Sequence, residues 1–160
     1  MEPNALLTKT VSHSVLAALR PLRFVKRGLI FTRTVHDVSH LVQIQKSMSS
    51  TKECIRFTIN LGVWAAILDI RANATVGIGD AQWRVRIGET LPAPHDLWWS
   101  AGTLEEAMAA STSVTDHLLR FGIPALDALS STDDLKRYWQ SGGYGGIGDI
   151  QRDRYLKMLQ

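Results

Sequence analysis

The chain has 160 residues, 45% of them hydrophobic and 21% charged, with a net charge of +3 at neutral pH. Those proportions exclude an intrinsically disordered chain and leave enough length for one sizeable core, so a single α+β domain over residues 1–160 is expected. The longest apolar run, Leu61 to Leu68, is far short of the roughly 20 residues a membrane span requires. A lone cysteine, Cys54, permits no internal disulfide, which suits a reducing, cytoplasmic setting.

The modest net charge hides an asymmetry. Residues 1–60 carry nine Lys/Arg against three Asp/Glu, whereas residues 61–160 carry nine against twelve. A basic N-terminal third resembles a transit peptide, yet no apolar stretch or cleavage signal follows it, and an integral segment is the better reading. Such a surplus also attracts nucleic acid or other anionic partners, so nonspecific nucleic-acid binding stays open as one function class.

Leu7, Val11, Val15, Ala18, Leu19 and Leu22 follow helical spacing, and Pro21 closes the run, predicting a first helix over about Ala5–Leu19. Residues Gly28–Val35 and Val38–Lys46 read as a hairpin turning at His36-Asp37. Cys54–Leu61 gives the clearest strand signal, with Ile55, Phe57, Ile59 and Leu61 alternating with Arg56, Thr58 and Asn60. Cys54 heads that strand as a small buried thiol. Residues 64–72 suggest a short helix. Gln82–Gly88 alternates again, with Trp83, Val85 and Ile87 opposite Arg84 and Arg86, and a Pro-Ala-Pro turn then leads to Trp98-Trp99.

The last third reads as helical. Thr103-Leu-Glu-Glu106 is a capping box, and Gly122 with Pro124 is expected to end the helix it starts. Ser131-Thr-Asp-Asp134 opens another helix to about Gln140, followed by a flexible glycine-rich loop and a short charged tail. The tetrapeptide Gly-Ile-Gly-Asp occurs at 77–80 and 146–149, which turn chemistry explains. The expected architecture is a small antiparallel sheet of about four strands with helices on one face.

No catalytic motif survives inspection, and neither a cofactor nor a metal is implied. Gly143–Gly148 matches GxGxxG but follows a helix, and the twelve residues after it leave no place for an acidic ribose partner. His36 and His40 stand four apart at a turn and on a strand, a poor geometry for one metal. Asp37 followed by Gln43-Ile-Gln45-Lys46 lacks the spacing and the carboxylates of a metal-dependent nuclease.

Strand phase singles out one feature. With Val42, Ile44, Ile55, Phe57, Ile59, Trp83, Val85 and Ile87 toward the core, Gln43, Gln45, Arg56, Thr58, Asn60, Arg84 and Arg86 share the opposite face. That face is rich in planar donors suited to carboxylates and phosphates, and Trp98-Trp99 would wall it. A merely solvated face satisfies the same alternation. Three arginines with no acid on the strands favour binding.

The segments Leu19–Phe24, Gln45-Lys46-Ser47, Arg56–Gly62, Trp83–Glu89 and Trp98-Trp99, taken in order, resemble a bacterial domain-of-unknown-function family, number 4304. The resemblance runs over about Leu7 to Leu129 and implies a fold-sized unit with no established activity. Its motif positions coincide with the polar face. The reading is therefore a non-catalytic binding module that uses Gln43, Gln45, Arg56, Asn60, Arg84, Arg86, Trp98 and Trp99 to hold a small anion or an acidic protein partner. The alternative is an enzyme for a phosphate-bearing or nucleic-acid substrate, for which only Glu53, Glu89, Asp37, His40 and His95 offer acid–base groups.

Overall fold

A computed structural model describes residues 1–71 and 75–160. Helical residues run without a break from Pro3 to Leu22: α1 (Pro3–Ala5), a π segment (Leu6–Val11), α2 (Ser12–Leu19) and a 3-10 turn (Arg20–Leu22). The π segment has a reason in the sequence. Leu7, Val11, Val15 and Leu19 recur every fourth residue, and a pure α-helix of 3.6 residues per turn would rotate them off one face. The wider π turn keeps all four fully buried.

Six strands form one antiparallel sheet: β1 (Val25–Arg27), β2 (Ile30–Val35), β3 (Val38–Lys46), β4 (Ile55–Ala65), β5 (Trp83–Arg86) and β6 (Trp99–Ala101). The order is β1-β2-β3-β4-β5, with β6 beside β5 along the same edge of β4. The sheet thus gains the short outer strands β1 and β6, whose three residues each are too few to show alternation. The β3–β4 ladder is the longest, from Val38↔Ala65 to Lys46↔Phe57. It places Val42 opposite Leu61 and Gln43 opposite Asn60, which confirms the strand phase.

After β6 come α3 (Leu104–His117), a second π segment (Leu118–Gly122), α4 (Ile123–Asp127), α5 (Thr132–Gln140) and α6 (Asp149–Met158). Thr103 caps α3 through the capping box, and Ser131 caps α5 by accepting from the Asp134 amide at 3.1 Å. One continuous core between helices and sheet runs from Leu6 to Tyr155. No described helix is long and apolar enough to cross a membrane.

Several expectations need correction. Residues 64–72 are not a helix: β4 continues through Ala65, a single 3-10 turn covers Ala66–Leu68, and position 72 lies outside the described residues. Trp64 and Ala65 extend the β4 alternation, and that continuity outweighs the helix propensity of two alanines. Gly122 and Pro124 do not end a helix, because the π segment leads directly into α4 with Pro124 in its first turn, where a missing N–H costs little. The charged tail is helical, as α6. The β5 strand stops at Arg86, and Ile87 is buried in a 3-10 turn (Ile87–Thr90). Cys54 sits just before β4 and is half-buried.

His40, on the core face of β3, is fully buried. Its Nδ1 accepts from Arg33 Nε at 3.2 Å and its Nε2 lies 2.9 Å from the Leu129 carbonyl, so it is a neutral imidazole donating to that carbonyl. Arg33 also pairs with Asp127 and lies over Phe24. This cluster ties the β2–β3 hairpin to the turn after α4.

Candidate functional site

The helices cover one face of the sheet. The other face carries Gln43, Gln45, Arg56, Thr58, Asn60, Arg84 and Arg86, as the registers Gln43↔Asn60, Gln45↔Thr58 and Asn60↔Arg86 require. It is not an open solvated surface, because two loops fold over it.

The first loop crosses at Gly62. A Cβ there would lie 2.8 Å from Ile78 Cδ1 and 2.9 Å from Ala81 Cβ, so only glycine lets the 3-10 turn Ile78–Asp80 seat above the sheet beside buried Leu41. Buried Gln82 anchors the loop's end, its side chain accepting from Ala65 N at 2.8 Å and donating to Ala65 O. The second loop crosses at Gly88, where a Cβ would fall 1.8 Å from the His95 carbonyl oxygen. Buried Thr58 holds this loop by donating to Leu97 O at 2.7 Å.

A third segment completes the enclosure. Gly145 accepts from the Arg84 amide at 2.9 Å, extending the outer edge of β5. Gly145 and Gly146 have φ of 62° and 80°. A Cβ on Gly145 would meet Trp83 Cδ1 at 2.0 Å, and one on Gly146 would meet the Arg84 carbonyl oxygen at 2.6 Å. The glycine-rich stretch is therefore a docked strap rather than a free loop, and its glycines are what let it approach β5. Both Gly-Ile-Gly-Asp copies meet at Arg84: Gly79 O of the first accepts its guanidinium at 2.8 Å, and Gly146 of the second packs against its backbone.

Between these segments lies an open cavity of about 340 Å³. Gln45, Asn60, Arg84, Arg86 and Glu89 supply its polar lining, with Ile78, Val85 and the glycines completing the walls. Asn60 Nδ2 donates to Gln43 Oε1 at 2.9 Å and to Gln45 Oε1 at 2.6 Å, which locks the three amides into one cluster. Arg84 Nη1 donates to the Gly79 and Ala81 carbonyls, and the guanidinium forms no ion pair among the described residues. Arg86 pairs with Asp96 at 3.2 Å. The acid that no strand supplies thus comes from the second loop. Glu89 accepts from the Arg86 amide at 3.3 Å and, among the described residues, has no ion pair.

Trp98 stands beside this cavity, its ring 5.7 Å from the Arg56 guanidinium and 5.1 Å from that of Arg86. Its indole N–H donates to Asp96 Oδ2 at 2.8 Å. That bond, with Arg86 adding to it, holds the Asp96 carboxyl below the usual carboxylate range. Arg56 itself lies outside the cavity lining and reaches Ser49 Oγ at 3.4 Å.

Trp99 does not join Trp98 on the polar face. It pairs with Phe57 across β6 and β4, stacks on that ring at 5.8 Å, and donates to Ser113 Oγ at 2.9 Å under α3. Adjacent strand residues point to opposite faces, so a Trp-Trp pair at a strand's start serves one face each. Of the five acid–base candidates, only Glu89 reaches the cavity. His40 is sealed in the core, Asp37 accepts from Thr132 at the start of α5, and exposed Glu53 and His95 lie on loops outside the lining.

Strand phase brought out Gln45, Asn60, Arg84 and Arg86 together but missed Glu89, Ile78 and Gly146. Only tight glycines and the repeated Gly-Ile-Gly-Asp hinted at the last two.

The fold and cavity define an α+β protein with a loop-walled polar pocket on the helix-free face of an antiparallel sheet. The chain belongs to the family described as Domain of unknown function (DUF4304), whose model matches residues 15–128. No curated protein and no solved structure matches it. The strap residues Gly145 and Gly146 lie beyond the matched span.

Proposed function

We propose that the protein is a non-catalytic binding module that holds an anionic ligand in the cavity on the polar face of its sheet. One observation carries this reading: Arg84, whose guanidinium has only carbonyl partners among the described residues, faces a walled cavity that also holds the amides of Gln45 and Asn60. A guanidinium fork with free donors in a partly enclosed site pairs with a carboxylate or phosphate more strongly than one in open water. The volume sits at the small end of ligand clefts, which favours a small molecule over a protein partner's side chains. A lone half-buried thiol suits a reducing, cytoplasmic setting.

A second reading has one supporting observation. Glu89 lies in the lining with Arg84 and Arg86, where an enzyme acting on a phosphate-bearing substrate would need its acid–base group. Nucleic-acid binding by the basic N-terminal third gains no comparable support, and Arg33 of that stretch is turned inward to His40 and Asp127.

The test is a thermal-shift screen of wild type, Arg56→Ala and Arg84→Ala against small carboxylates, phosphates and short oligonucleotides. A ligand at a hundred times its Kd adds about 2.7 kcal/mol of stability. A small anion that stabilises wild type and Arg56→Ala but not Arg84→Ala supports the reading. Stabilisation by oligonucleotides alone, retained in Arg84→Ala, contradicts it.

A further inference from the structure

The charges around the cavity narrow the ligand beyond its being an anion, an inference that rests on the binding reading above. Of the two arginines in the lining, Arg86 has its charge met by Asp96 at 3.2 Å and its guanidinium held beside Trp98. Arg84 is the lining cation without a carboxylate partner among the described residues. Glu89 is the lining anion, and its one hydrogen bond among the described residues, from the Arg86 amide, leaves a carboxylate oxygen for another donor.

The cavity therefore presents one uncompensated positive and one uncompensated negative group. A phosphate monoester, with about two negative charges near neutral pH, would gain Arg84 and be opposed by Glu89. A molecule with one carboxylate and one ammonium meets both. The amide cluster fits the same demand: Asn60 spends both amide hydrogens on Gln43 and Gln45, leaving its own Oδ1 to accept and the Gln45 amide nitrogen to donate. The apolar part of the lining is small: Ile78 supplies its branched side chain, because Val85, opposite Leu61 in the ladder, turns its own toward the core. That is enough surface to contact one short aliphatic group.

We propose that the cavity binds a small zwitterion of the amino-acid type, its carboxylate on Arg84, its ammonium on Glu89, and a short apolar side chain against Ile78. Glu89 is then a specificity-determining residue that rejects phosphates and other multiply charged anions.

Calorimetric titration of the full chain with the twenty common amino acids, inorganic phosphate, 4-methylpentanoate (leucine without its amine) and 3-methylbutylamine (leucine without its carboxylate) tests this. At least one aliphatic amino acid is expected to bind, with 4-methylpentanoate and 3-methylbutylamine each weaker by roughly tenfold or more for the lost charged hydrogen bond. Glu89→Gln should erase the preference for leucine over 4-methylpentanoate, and Arg84→Ala the preference over 3-methylbutylamine. Both positions are exposed, so the substitutions spare the core. If phosphate or 4-methylpentanoate binds wild type as tightly as any amino acid, and Arg84→Ala abolishes it, the zwitterion is overturned while the anion-binding reading stands. If no probe binds, or binding survives Arg84→Ala, both fall.

Discussion

Arg84 donates its backbone N–H to the carbonyl of Gly145 at 2.9 Å, joining the outer edge of β5 to a segment 61 residues later. Through that bond one residue has two duties. Its backbone docks the strap, and its side chain faces the cavity that the strap helps to enclose.

The strap's contribution is measurable by comparing two glycines of similar backbone. Gly28 and Gly145 have φ of 61° and 62°, but a Cβ on Gly28 meets nothing within 4 Å while one on Gly145 meets Trp83 at 2.0 Å. Gly28→Ala should cost only the left-handed backbone, about 1–2 kcal/mol. Gly145→Ala should add an overpacking cost, reaching about 2–4 kcal/mol, and should weaken ligand binding. Urea unfolding of both variants checks the difference.

The loop over Thr58 gives a second prediction. Thr58→Val keeps the side-chain shape but leaves the Leu97 carbonyl without its 2.7 Å donor, a loss of about 1–2 kcal/mol. Gly88→Ala pushes on backbone at His95 rather than on a pliant side chain, and should be the more damaging change. Limited proteolysis should then cut between Pro92 and Leu97 faster than in wild type.

Burial, the largest influence on His40, lowers its proton affinity, and a second proton on Nδ1 would also confront Arg33. The hydrogen bond to the Leu129 carbonyl and, less strongly, Asp127 paired with that arginine oppose this without reversing it. Because the folded state takes up the proton at lower pH than the unfolded chain, stability is full above the ordinary histidine value of about 6.5 and declines as pH falls below it. The slope is at most about 1.4 kcal/mol per pH unit for one proton. Urea midpoints between pH 7.5 and 5.5 should fall in wild type and in exposed His13→Gln, and flatten in His40→Gln.

The helix caps offer a simpler check. Thr103→Ala and Ser131→Ala each remove a side-chain acceptor from the third helical amide, and each should cost about 1 kcal/mol by thermal or urea unfolding.

Much of this was legible in the residues, and the boundary of legibility has physical causes. Period-two alternation in Cys54–Leu61 and Trp83–Ile87 located two strands and their faces, since a strand has no freedom to choose which side alternate residues take. The caps at Thr103 and Ser131 were local and therefore readable. The continuation through Pro124 was not, because a π segment relieves the clash that a proline normally causes. Trp99 was misplaced because the pair Trp98-Trp99 was read as one feature, although neighbours on a strand separate to opposite faces. The strap escaped notice for a different reason: its contact with Arg84 spans 61 residues and runs through backbone atoms, which carry no side-chain signature.

The most direct test of the cavity as a ligand site is amide chemical-shift mapping during titration with acetate, a single carboxylate with nothing else to recognise. Saturable shifts concentrated at Asn60, Arg84, Arg86, Glu89 and Gly146 are expected, and Arg84→Ala should abolish them. Shifts centred on Arg20, Arg23, Lys26 and Arg27, or no saturable shift at the cavity, would contradict it.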